Sequence, residues 1–86
     1  MIMRICSIFD GKAEAYTTPM FFQSTGQAVR SFADAVNDGK SDFSNHPEDY
    51  TLFLLGDWDQ RSGKLEVLDA PVALGQGIHL VNREEG

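Results

Sequence analysis

The side chains able to do acid–base, nucleophilic or metal chemistry are few. There are two histidines, His46 and His79, and one cysteine, Cys6. His46 stands beside Glu48 and Asp49, a grouping that could hold a divalent cation or share a proton. One histidine and two adjacent acids fall short of a ligand set. The same residues also suit a turn ahead of Pro47, with both carboxylates at the positive end of a single helical turn. Cys6 lies in an apolar, β-branched segment with no base beside it, so it reads as a small buried hydrophobe. A lone cysteine excludes an intrachain disulfide and a cysteine-based zinc site. Asp57, Asp59 and Glu66 offer carboxylates of the kind used in glycoside cleavage or cation binding. Asp57 and Asp59 share parity near a strand end, which places them on a solvated edge that discourages edge-to-edge pairing. Gly75-Gln76-Gly77 lacks the lysine and the strand–turn–helix setting of a phosphate loop. The expectation is a non-enzymatic protein with no cofactor and no metal.

Binding chemistry is better represented. The bases are Arg4, Lys12, Arg30, Lys40, Arg61, Lys64 and Arg83, seven against thirteen acids, for a net charge of −6. That balance opposes phosphate unless charges segregate strongly. Lys12, Arg30 and Lys40 are expected near one another around a helix. Tyr16 and Trp58 sit in polar surroundings and could stack on single-stranded bases. Phe21 and Phe22 read first as core residues. Lys12, Tyr16, Arg30 and Lys40 are the candidate nucleic-acid contacts.

These residues need elements to hold them. Ile2–Phe9 is β-branched and aromatic and predicts a strand, followed by an Asp10-Gly11 turn. Lys12–Pro19 reads as an extended loop, and Met20–Gln23 as a second short strand with Pro19 at its start. Ser24 and Gln27 have capping-box spacing, with Thr25 a competing cap. Ala28, Val29, Phe32, Ala33 and Val36 mark one face of a helix over 25–38, and Gly39 is placed as its left-handed cap. Lys40–Asp49 is turn-rich. Tyr50–Leu55 is apolar on both parities and reads as a central strand covered on both sides. Gly56 ends or bulges it, and Asp57–Asp59 extend it. Gln60–Gly63 is a turn, Lys64–Leu68 a half-buried strand, and Pro71 a break. Gly75–Gly77 reads as a flexible point, Ile78–Val81 as a final short strand, and 83–86 as a frayed tail. The fold class is α+β: one helix packed on a mostly antiparallel four- to five-stranded sheet, in the order β-β-α-β-β(-β).

Eighty-six residues with 42% hydrophobic and 23% charged side chains are ordinary globular composition, enough for one domain over 1–86. No apolar run approaches the ~20 residues of a membrane span. Nothing at the start resembles a signal peptide, and the true start is either Met1 or Met3. A small core and a sheet face left partly open predict a homodimer.

Lys12-Ala13-Glu14-Ala15-Tyr16, then Pro19, Phe21, Phe22 and Ala28-Val29-Arg30-Ser31-Phe32, form a recognisable series. His46-Pro47-Glu48-Asp49-Tyr50-Thr51-Leu52-Phe53, Gly56, Asp59, Gly63, Pro71, Leu74-Gly75 and Gly77 continue it. Over roughly residues 8–80 the chain resembles the small nonstructural protein of microviruses, the gokushovirus-like single-stranded-DNA phages. The resemblance implies a protein of the host bacterial cytoplasm that is absent from the mature virion. It implies a role in viral single-stranded DNA replication or packaging, through DNA binding. It supplies no catalytic residue. The acidic balance supports an alternative, a protein–protein adaptor that regulates the phage replication initiator or a host replication factor.

Overall fold

The computed structural model describes residues 1–82; the tail expected to fray over 83–86 lies outside them. Strand β1 (Ile2–Asp10) is the first element and one of two central strands. Its outer edge pairs antiparallel with two short strands, β2 (Ala15–Tyr16) and β3 (Met20–Phe22). Its other edge pairs with β4 (Tyr50–Asp59), which pairs in turn with β5 (Leu65–Gln76). Helix α1 (Thr25–Val36), the short α2 (Asp42–Asn45), a 3-10 turn at Pro47–Asp49 and α3 (Gly77–Leu80) complete the chain. The result is α+β: an open, antiparallel five-stranded sheet with a helical layer on one face.

The capping signal at Ser24 is realised with a shift. The Ser24 hydroxyl accepts from the Gln27 amide at 3.1 Å, as a cap should. The Gln27 side chain reaches back one residue further than in a capping box, accepting from the Gln23 amide at 3.1 Å. The helix ends at Val36, with Asn37 as its cap, and Gly39 takes its left-handed φ of 73° in the loop beyond. Ala28, Phe32 and Val36 bury against Cys6, Ile8 and Leu52 of β1 and β4. Met20, Phe22, Phe43, Tyr50, Leu54, Leu74, Leu80 and Val81 pack around this cluster.

Several expectations are corrected. The extended loop over Lys12–Pro19 contains a hairpin, because Asp10 Oδ1 accepts from the amides of Lys12 and Ala13 and turns the chain back into β2. Thr17 then holds the loop to β1: its amide donates to Ile8 O, and its hydroxyl accepts from the Ile8 amide. Part of Lys40–Asp49 is the helical turn α2, capped by Ser41. Pro71 does not end β5. It falls where the register jumps from Gly56↔Val67 to Leu54↔Val72, so the missing amide leaves no ladder bond unmade. Gly75 and Gln76 are paired strand residues, opposite Leu52 and Thr51. Ile78–Val81 is not a strand, because Gly77 turns the chain into α3. A Cβ on Gly77 would lie 2.5 Å from Pro47 O, so the turn packs tightly on the 3-10 segment.

The expected bulge at Gly56 is present on both edges of β4. Ile5 pairs with Gly56 and Cys6 with Leu54, leaving Leu55 unpaired. Beyond the bulge β1, β4 and β5 continue as a ribbon past α1. The molecule is accordingly elongated, 49 × 26 × 19 Å.

Candidate functional site

Strand register sorts side chains onto two faces, since successive residues alternate. Cys6 and Ile8 face the helical layer. Met3, Ile5, Ser7 and Phe9 therefore face the other way. Across β4 they pair with Trp58, Gly56, Phe53 and Thr51. On the outer edge Phe21 pairs with Ile5 and Tyr16 with Phe9. On β5 the same face carries Leu65, Val67, Ala73 and Gln76. None of these paired positions holds Asp, Glu, Lys, Arg or His. This open face is apolar and aromatic: Tyr16 lies 4.9 Å from Phe9 and 5.7 Å from Phe53 between ring centroids, and Phe21 lies 5.6 Å from Trp58. Tyr16 is 46% exposed, Phe21 47%, Leu65 56% and Val67 72%. Ser7 is the buried polar group of this face, and its hydroxyl donates to Thr17 O at 2.6 Å.

Two of the four candidate nucleic-acid contacts share one hairpin. Lys12 is in the turn of the β1–β2 hairpin and Tyr16 is at its root. Arg30 lies mid-way along α1, and Lys40 follows that helix. The sheet separates Tyr16 from Arg30, since α1 covers the opposite face. Each cation also has an acid close in sequence: Asp10 and Glu14 flank Lys12, Asp34 is one helical turn from Arg30, and Asp38 and Asp42 flank Lys40.

The carboxylates beyond the bulge form a mixed-charge depression of about 240 Å³, lined by Ile2, Asp57, Asp59, Lys64 and Glu66. Asp57 is not simply solvated: Arg4 Nη1 donates to both its oxygens, at 2.9 and 3.0 Å. Asp59 accepts from the Arg61 amide at 2.9 Å, and that bond chiefly holds its carboxyl below the usual range. Asp38, beside Lys40, is likewise lowered by the amides of Ser41 and Lys40.

His46, Glu48 and Asp49 do come together, with ligand atoms all within 4.8 Å of one another and His46 Nδ1 3.9 Å from Glu48 Oε2. His46 and Glu48 are exposed. Tyr50 follows them, and its phenol is pushed up by desolvation and then by the charges of Asp10, Asp42 and Asp49. Cys6 is fully buried, and burial raises its thiol pKa, away from the thiolate a nucleophile needs.

A family model matches residues 3–80, nearly the whole described chain: that of the Phage ORF5 protein. The chain belongs to the Phage ORF5 protein family. No curated protein and no solved structure matches it. For this phage protein the match covers both central strands, α1, the His46–Asp49 turn and the whole open face. No helix among the described residues is long and apolar enough to cross a membrane.

The sequence reading missed Phe9, Phe53 and Phe21 as members of one surface. The usable signal was the odd parity of Met3, Ile5 and Phe9 in β1. It was masked by the apolar residues of both parities in β4.

Proposed function

We propose that this phage protein is a non-enzymatic accessory factor of a microvirus, acting in the bacterial cytoplasm during viral single-stranded DNA replication or packaging. It works as an acidic adaptor that docks on a basic protein, either the phage replication initiator or a host replication factor. One observation carries this reading: the candidate cations are dispersed, Lys12 in the hairpin turn, Arg30 on α1 and Lys40 beyond it, each with acids close by in sequence. An acidic exterior attracts a basic partner and repels a bare phosphate backbone. The test is co-purification of the tagged chain from infected cells after nuclease treatment. A replication protein should be recovered and should be released by salt. Recovery of no replication protein sinks the adaptor reading.

A second reading, direct contact with the viral single strand, is favoured by one feature. Tyr16 packs against Phe9 and Phe53 as an aromatic platform, and Lys12 lies in the turn of the same hairpin. In this reading Arg30 and Lys40 make separate contacts from the helical side. Fluorescence anisotropy with a single-stranded oligonucleotide at low salt decides it. Binding at micromolar protein that weakens with salt and with Tyr16→Ala supports direct contact, and no binding removes it.

A further inference from the structure

We propose that the open face of the sheet is the interface of a homodimer, two copies packing their uncovered faces together about a two-fold axis. The proposal does not rest on the adaptor reading, and it excludes DNA contact through Tyr16, which the interface covers. Four observations carry it: the face's size, its lack of charge, the protection of the sheet edges, and the net charge of the chain.

Nine residues of β1 at ~3.4 Å each and four strand positions at ~4.8 Å each outline a face of roughly 30 by 19 Å. Its roughly 600 Å² of plan area includes Ile5 and Ser7, already buried within the single chain, and compares with the ~800 Å² per partner of a standard interface. The sheet edges, by contrast, are blunted. On one side β2 and β3 have only two and three residues. On the other, β5 leaves its register over 68–71, where Asp69 and Pro71 lie. Short strands, bulges, charges and proline are devices against edge pairing. The chain therefore protects its edges and leaves a face open.

Charge selects the occupant. Two chains of −6 repel, so self-association must use a surface without charge, and the paired positions of the open face have none. A basic partner seated there would bury its cations against apolar side chains without counter-charges, which is costly. A second copy brings an identical uncharged face. Sheets packed in this way lie ~10 Å apart with interdigitating side chains, a geometry open to the protruding Phe21, Leu65 and Val67. The dimer hides Tyr16 and Trp58 and leaves an exterior of doubled negative charge.

Sedimentation equilibrium of the full chain over a concentration series tests this. The expected mass is twice 9.5 kDa at high concentration. Added salt should tighten the dimer by screening like charges, where a charge-held complex would loosen. Val67→Glu places an unpaired charge in the interface at a position exposed in the single chain, and should weaken the dimer about 100-fold or more. Leu65→Lys should do the same with the opposite sign. Val72→Glu, on the same strand but paired with Leu54 on the helical side, should leave the dimer intact. Emission of Trp58, the single tryptophan, should move to shorter wavelength as the wild-type chain associates, but not in Val67→Glu. A monomer mass throughout overturns the proposal. So does a dimer broken by Val72→Glu and untouched by Val67→Glu and Leu65→Lys.

Discussion

Replacing Gly56 with alanine should be among the most damaging single-methyl changes in this protein. Gly56 is buried at the bulge of β4, paired with Ile5 on one side and Val67 on the other. A Cβ there would run into the Glu66 carbonyl oxygen and come within 2.9 Å of Val67 Cα, both backbone atoms. No rotamer change relieves such a clash; β4 and β5 must separate. The displaced pairs would be Asp57↔Glu66 and Trp58↔Leu65, on which the ribbon depends. Overpacking of this kind costs about 2–4 kcal/mol. The total stability of an 86-residue chain is roughly 4–13 kcal/mol. Gly56→Ala should therefore remove a large share of it. Gly26→Ala adds the same methyl group in the first turn of α1, where its Cβ would meet only Ser24 Oγ at 3.9 Å. That change should stabilise by about 0.5–1 kcal/mol, because glycine's chain entropy no longer opposes the helix. Urea titration followed by far-ultraviolet circular dichroism, at one fixed protein concentration, measures both. With a slope near ~1 kcal/mol/M the Gly56→Ala midpoint should fall by about 2 M or more, and the Gly26→Ala midpoint should rise. If the two variants fall within about 0.5 kcal/mol of each other, the close approach of β5 to Gly56 is not what fixes the bulge.

The remaining predictions concern the chain's polar fastenings. Asn37 Nδ2 donates to Ala33 O at 2.7 Å and Leu80 O at 2.9 Å, while its Oδ1 accepts from the Asn82 amide at 2.8 Å. Asn37→Ala should cost about 1–2 kcal/mol at this exposed site and free the Asn82 amide to exchange, while α1 keeps its protection. Unchanged exchange at Asn82 would contradict the clasp. Asp38 and Asp59 both titrate below the ordinary 3.8, held down first by the Ser41 and Arg61 amides respectively. A folded pKa below the unfolded one gives stability that is complete above the unfolded value and is lost as pH falls from 3.8 toward the folded values. Carboxyl titration by NMR should place both midpoints below 3.8, and Asp38→Ala should flatten the acid limb of the stability curve; midpoints at or above 3.8 refute it.

The elements that were legible had local causes. Ser24, Gln27 and the apolar stripe to Val36 place α1 because a cap and a 3.6-residue period act within one turn. Pro47 opens its turn for an equally local reason. What escaped the sequence depends on distant partners. Ile78–Val81 has a strand's composition, but Asn37, more than forty residues earlier, fixes its carbonyl, and Pro47 O backs the turn at Gly77. Thr17, β-branched like many strand residues, lies outside the strands, and its two bonds to Ile8 shape the segment between β2 and β3. The four candidate contact residues are individually visible as exposed cations and an aromatic. That the sheet separates Tyr16 from Arg30 follows from strand register, which no local pattern states.

The open face shows why register matters most for reading function here. A period-2 strand with one buried face normally alternates apolar and polar residues, and a one-residue slip exchanges the faces. In β4 the bulge at Leu55 makes such a slip within the strand, so Leu52 and Leu54 face the helices while Trp58, an even position too, faces the open side. Apolar residues at both parities then carry two meanings at once. Before the bulge, Phe53 adds an aromatic to the open side while its neighbours fill the core. Beyond it, Asp57 and Asp59 take the side that the helices no longer cover, with Arg4 and Glu66 beside them. The polar residues thus begin where the helical layer ends, but the other side of the ribbon stays apolar through Trp58 and Leu65 to the hairpin. A strand that only had to close a one-layer core could have placed polar residues there at no cost. That β4 keeps Trp58, and β5 Leu65 and Val67, beyond the reach of the chain's own helices is the physical reason to expect a second surface against them.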